Sequence, residues 1–423
     1  MAALRWLCMI FCLLQAGMAM AAEEGRVLSI EIIGLERTDE RTVIRQLPFV
    51  VGDVWQDEFG PTGERWLRNL GLFSEAHITR PDENGRVSIN LRERWSLWVL
   101  PSFSRKDNGA SSAGITIDEY NLWGLNHHLH LAGREDTGKN FSTANGSSYA
   151  VSYGWQRVAD SKLSISAAAD WGRSNFDAYQ NGIQVAQYAR EGRNASLTLS
   201  YAFGPVPGEG LGISGGFAAS NSNYTLLSGP AQPDVVGNRK RSVLGRISYR
   251  NIDNNITWFS GAAADYSFAV AHRVLGSTIN VYRQNISLRS YVPFDDHNTV
   301  NMRLNAGLAS GDVLRDGLFD LGGRNAIRGY YPGEVQGKSY LYGSVEGRYL
   351  LAPDSNVQAA AFSDVGIVGG SGVANRASKF YVGAGGGIRW TLRWLVNGTI
   401  RVDAAYGFST RRWRFYLASG QAF

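Results

Sequence analysis

Ser196-Leu197-Thr198-Leu199-Ser200-Tyr201-Ala202-Phe203 sets a large apolar side chain at every second position and a small one between. A helix would scatter these residues around its circumference, whereas a strand gathers Leu197, Leu199, Tyr201 and Phe203 on one face. The same period recurs in Leu163, Ile165, Ala167, Ala169 and Trp171, in Tyr149, Val151, Tyr153 and Trp155, and in Met302, Leu304, Ala306 and Leu308. From about residue 98 onward, Gly, Asn, Asp and Ser cut the pattern into many runs, the punctuation of an antiparallel all-β chain.

A soluble sandwich alternates too, so the second face decides. Ser164, Ser166, Asp170, Arg303 and Asn305 lie there, and they suit a wet lumen rather than a dry core. Aromatic residues near the expected strand ends, Trp155, Trp171, Trp258 and Trp390, suit a girdle at a membrane boundary. No segment after residue 22 approaches the roughly 20 apolar residues that a membrane helix requires. The fold class is therefore an all-β transmembrane barrel over residues 98–423. At roughly 20 residues per strand and connection it holds about 16 antiparallel strands, within the even-numbered range of such barrels.

The rest of the composition agrees. A chain of 423 residues with 50 glycines and 12% aromatics is rich in strands and turns and long enough for two domains. Its formal charge of +5 is spread along the chain, which favours outer-membrane lipid head groups over nucleic acid as the counter-charge. Arg5, the apolar stretch Trp6 to Leu14, and Ala19, Ala21 and Ala22 read as an export signal over residues 1–22. The two cysteines, Cys8 and Cys12, fall inside that segment, so the exported chain would carry no thiol. Phe11, where a small residue would be wanted, argues against lipid attachment at Cys12.

Residues 25–95 have a different texture. Val27 to Ile33 alternate as a short strand that Gly34 ends, and helical spacing follows over Thr42 to Leu47 and over Glu64 to Leu70, with Gly71 as C-cap. Two strands, Ala76 to Arg80 and Arg86 to Arg92, joined through Asn84-Gly85, complete a β-α-α-β-β order.

Enzymatic readings fare poorly. Gly212-Ile213-Ser214-Gly215-Gly216 matches Gly-x-Ser-x-Gly, but a nucleophile elbow joins a strand to a helix and this copy lies in a strand region. Of His127, His128 and His130, only the last two share a strand face, and no nearby carboxylate or cysteine completes a metal set. No catalytic residue, metal or cofactor is expected.

Several motifs carry a resemblance. Ile30, Ile32, Gly34 and Leu35, then Gly52, then Leu67 and Leu70-Gly71-Leu72-Phe73, then Val87, Ile89, Leu91 and Glu93 resemble a polypeptide-transport-associated (POTRA) domain. Gly322-Gly323-Arg324-Asn325-Ala326-Ile327-Arg328-Gly329-Tyr330 is similar to the sixth-loop tip of the BamA/TamA outer-membrane assembly and translocation superfamily. Phe362-Ser363-Asp364-Val365-Gly366 is similar to that superfamily's Phe-x-Asp-x-Gly strand. Trp413, Phe415, Leu417 and Phe423, of one parity, resemble the C-terminal β-signal of outer-membrane proteins. Asn121-Leu122-Trp123-Gly124 and the glycine run Gly383 to Gly387 also look like strands of the superfamily. The run, weak for want of side chains, reads as a candidate seam.

The resemblance implies an outer-membrane barrel with a single periplasmic POTRA domain that inserts or translocates other proteins. Its partners would be membrane lipids and unfolded or secreted client chains, which pair as strands with an open sheet edge. A passive diffusion porin or structural outer-membrane barrel is the other reading. Parity gives the motifs a physical role of their own. With Val357, Ala359, Ala361 and Val365 facing lipid, Phe362, Asp364 and Gly366 point into the lumen, where a carboxylate would meet the guanidinium of an inward-folded loop. Arg328 to Asp364 is the expected pair, with Glu346, also of lumenal parity, sharing the arginine. Gly329 would allow the tight tip, and Tyr330 would pack on Phe362 or the wall.

Overall fold

The computed structural model describes residues 25–105, 111–137, 146–180, 183–295, 297–352, 355–370 and 379–420. Residues 1–22 and Phe423, read above as export signal and chain-end signal, lie outside them. The chain forms two compact units, one running to Arg94 and taking in Trp123–Leu125, the other comprising the remainder.

The first unit holds β1 (Ser29–Ile33), α1 (Glu40–Ile44), α2 (Phe59–Asn69), β2 (Phe73–Ile78) and β3 (Arg86–Glu93). β3 is central, parallel to β1 and antiparallel to β2. Asp39 caps α1 by accepting the Arg41 N–H, and Gly71, at φ +77°, turns the chain out of α2. Asp82 accepts the N–H groups of Asn84 and Arg86 and so shapes the turn before β3. Val43, Phe49, Leu67, Leu72, Phe73, Val87 and Ile89 are buried together as the unit's core. α2 starts five residues before the expected Glu64, because Pro61 is tolerated in a first helical turn and Gly60 and Gly63 sit against Ile78. β2 starts at Phe73 rather than Ala76, since full burial of Phe73 draws the strand onto the core.

The second unit is one antiparallel sheet of sixteen strands. Its first half is β4 (Leu97–Arg105), β5 (Ser111–Leu122), β6 (His127–Thr137), β7 (Gly146–Trp155), β8 (Leu163–Gln180), β9 (Ile183–Ala202), β10 (Gly210–Ser228) and β11 (Asn238–Asn254). Then come β12 (Phe259–Ala271), β13 (Val281–Pro293) and β14 (Thr299–Gly311). A long connection follows, carrying the two-residue strands β15 (Phe319–Asp320) and β16 (Gln336–Gly337). β17 (Ser339–Leu350), β18 (Val357–Gly369), β19 (Lys379–Thr391), β20 (Thr399–Gly407) and β21 (Arg412–Ser419) complete the sheet. Each sheet strand lies beside its neighbour in sequence, β14 beside β17, and β4 and β21 are the two ends of the order.

Alternation makes one face apolar and the other polar. Leu197, Leu199, Tyr201 and Phe203 are 45–53% exposed, and the β10 partners Ile213 and Phe217 are exposed beside them, while Ser196, Thr198 and Ser200 turn inward. So much exposed hydrocarbon on every strand matches a lipid solvent and not water. Trp155 and Trp390 sit at or next to strand ends, and Trp258 in the turn before β12. Trp171 instead lies mid-strand, with nine residues of β8 beyond it. Since roughly 9–11 residues cross a bilayer, β8 to β11, of 17–20 residues, outrun its thickness.

Candidate functional site

The site is assembled by the connection between β14 and β17, whose tip packs against the inward face of β17 to β21. Ile327 is fully buried in a cluster with Leu321, Tyr330, Val335, Tyr342 and Val368. A Cβ on Gly366 would overlap the Ile327 side chain, so this strand glycine is the floor of the Ile327 pocket. A Cβ on Gly383 would overlap the Arg328 carbonyl, so the β19 backbone also lies against the tip. Gly329 turns the chain at φ +98°, a conformation costly for any residue with a Cβ.

Arg328 places its fork on Asp364, with Nε donating to Oδ2 at 2.8 Å and Nη2 to Oδ1 at 3.0 Å, while its backbone N–H also donates to Oδ2. Nη1 donates to Glu346 at 2.8 Å, and the guanidinium lies 3.3 Å over the Phe362 ring. Ser344 donates its hydroxyl to Asp364 at 2.7 Å. Glu346 also accepts from Arg348 and Arg389, and Arg389 reaches Asp403 at 2.6 Å. Arg401 donates to the Arg324 carbonyl and the Asn325 side chain of the loop. The charged side chains of this network, four arginines and three carboxylates, are no more than 3% exposed. Asp364 has Arg328 as its one guanidinium partner among the described residues, so loss of Arg328 strands a buried carboxylate and ties the loop position to this pair.

The last strand closes the grip. Tyr416 accepts from the Gly329 N–H at 2.9 Å and donates to the Tyr330 carbonyl, and Arg414 lies over the Tyr331 ring. Trp413, Phe415 and Leu417 point outward and are 58–78% exposed. Tyr330 does not stack on Phe362, which the guanidinium occupies. It packs edge-on to Tyr381, donates to the Val382 carbonyl and accepts from the Ser409 N–H. At the other end of the sheet order, Trp95 exchanges backbone hydrogen bonds with Trp394 and Val396, and the Trp98 indole donates to the Val396 carbonyl.

Three expectations change. The glycine run is no seam: β19 is paired along both edges, with β18 and β20, and its glycines make room for the loop tip and for Asp403. The histidines do have a carboxylate, Asp118 on the neighbouring strand, 3.1 Å from His128 and 2.7 Å from His130; among the described residues no metal-competent group forms. Asn121 and Leu122 end a strand, but Trp123 and Gly124 form a turn with positive φ. Ser214 sits in a strand ladder, not at a strand-to-helix turn, and donates its hydroxyl to Ser200. Ser344, Arg389, Arg401, Asp403 and Tyr416 escaped the sequence reading; their signal was a charged or polar side chain of inward parity in mid-strand.

The comparisons fit this geometry. The Omp85 superfamily domain matches residues 121–423. The outer membrane protein assembly factor BamA of Neorickettsia risticii (strain Illinois) is 21% identical over 408 residues, 90% of this chain and 52% of that protein. The chain thus spans about half the length of that relative. Among solved structures, CdiB from Escherichia coli has a TM-score of 0.63 at 15% identity, covering 94% of this chain and 74% of its own. CdiB from Acinetobacter baumannii has a TM-score of 0.59 at 18% identity, with 92% and 73% covered. BamA from Haemophilus ducreyi lacking POTRA domains 1-3 has a TM-score of 0.51 at 14% identity, with 93% and 83% covered. These likenesses are of fold.

Proposed function

The chain belongs to the Omp85 superfamily, and on that premise we propose that it inserts client proteins into the outer membrane or passes them across it. The observation that carries the reading is the clamp of Arg328 on Asp364 and Glu346, which holds a loop inside the barrel where a passive pore would need none. Residues 25–95 act as a POTRA domain. Their sheet order β1-β3-β2 leaves an edge on each outer strand, where an extended client can add. Residues 1–22 serve as the export signal, and the outward row Trp413, Phe415 and Leu417, with Phe423, serves as the assembly signal.

Depletion of the protein with quantitative profiling of outer-membrane and secreted proteins tests this. Loss of particular barrels marks insertion, and loss of a secreted protein marks translocation; neither should be restored by Arg328→Ala. An unchanged proteome with altered small-solute permeability would replace this reading by a diffusion pore.

A further inference from the structure

Next to the clamp strand β17 in the sheet order, the wall of β14 to β11 carries an unbalanced charge. One inward row runs Arg250, Ala263, Arg289, Arg303 across four strands, and the inward Arg246 stands four residues from Arg250 on β11. Their outward neighbours Ile247, Tyr249, Leu288 and Leu304 are exposed on the lipid side. Arg289 and Arg303 are direct cross-strand partners, an arrangement of like charges that destabilises a sheet unless an anion intervenes. Arg303 is drawn off to the Asn325 carbonyl of the loop.

Among the described residues, Asp265 is the carboxylate that faces the remaining three. Asp265 takes Arg246 on Oδ1 at 2.5 Å and Arg289 on Oδ2 at 2.9 Å, so both of its oxygens are engaged. Arg250 lies within the field of Asp265, Arg246 and Arg289 yet makes no hydrogen bond among the described residues, and the buried Nε of Arg289 also has none. A cavity of about 440 Å³ opens beside Arg246, lined by Ser166, Thr198, Ser200, Ser214 and Arg283. Arginine forks match phosphate and carboxylate oxygens, and hydroxyls supply further donors to such an anion.

We propose that Arg246, Arg250 and Arg289 form a lumenal binding site for a phosphate-type oxyanion, with Asp265 as a resident competitor that holds two of the three arginines when the site is empty. The oxyanion contacts Arg250 first, because that guanidinium is unengaged, and then shares Arg246 and Arg289 with Asp265. The assignment follows from the wall alone and does not depend on the client-handling reading.

Calorimetric titration of the full chain in detergent micelles tests it, with inorganic pyrophosphate in one arm and dihexanoyl phosphatidic acid in the other. Saturable, salt-sensitive binding is expected. Arg250→Ala, which breaks no hydrogen bond of the wall, should weaken it about tenfold or more, and Arg250→Lys should restore part of the loss. Asp265→Asn should tighten it about tenfold by releasing two arginines, a change that a merely structural carboxylate would not give. Tighter binding of the lipid names a lipid-borne phosphate, and tighter binding of pyrophosphate a free one. Absence of saturable binding of both probes to the wild type and to Asp265→Asn, or affinities unmoved by Arg250→Ala, would overturn the site.

Discussion

Arg328 spends its whole fork on buried carboxylates, so its loss is read first at Asp364, which keeps only Ser344 and the Arg328 backbone N–H. Arg328→Ala should destabilise the folded barrel by about 3–5 kcal/mol in denaturant titrations, as for a broken buried pair. Combined with Asp364→Asn it should cost clearly less than the sum of the two; strict additivity would show that the pair is not coupled. The Ile327 pocket offers a steric counterpart. Gly366→Val overpacks it, at a cost of about 1–3 kcal/mol. Ile327→Ala in the same chain should recover much of that, and no recovery would mean that the two residues do not touch in the folded protein.

At the scale of the element, alternation makes each strand a statement about two solvents. Phe415 lies mid-strand on the outer face of β21, and Ser200 faces inward on β9. Phe415→Arg should cost about 2–4 kcal/mol in liposome folding titrations, the range for a lipid-facing arginine near the bilayer midplane. Ser200→Arg should cost far less, since water reaches that face. Equal costs would refute the inside-outside assignment. β4 shows how an end strand is tied down without a β-ladder to β21 among the described residues: the Trp98 indole donates to the Val396 carbonyl. Trp98→Phe keeps the ring and should lose about 0.5–1.5 kcal/mol, readable as a lower unfolding midpoint.

At the scale of the whole molecule, the outward apolar surface requires an apolar solvent. The full chain should be monodisperse in detergent or bilayer discs and associate once detergent is removed, as followed by sedimentation velocity. A stable monomer in plain buffer would contradict the membrane reading. The lumen is divided between two textures, a hydroxyl-lined wall over β8 to β10 and a charged wall from β11 onward against which the loop is seated. That division has no counterpart in overall composition, where the basic residues are simply spread along the chain.

The sequence by itself determined the all-β class, the sixteen-strand count, the inward parity of Asp364 and Glu346 and the apolar outer face, because side-chain period is a local property of a strand. It determined that Arg328 and Asp364 belong together only through a motif resemblance. Which residues complete the clamp was decided in three dimensions: Arg401, Asp403 and Tyr416 reach the loop from strands up to 87 positions away in sequence, and Arg389 joins through Glu346 and Asp403. The histidine partner Asp118 and the purpose of Gly383 were decided in the same way, by cross-strand register and by where a loop comes to rest. Both are long-range facts that no local pattern encodes, since the energy of a buried charge depends on what the fold brings beside it.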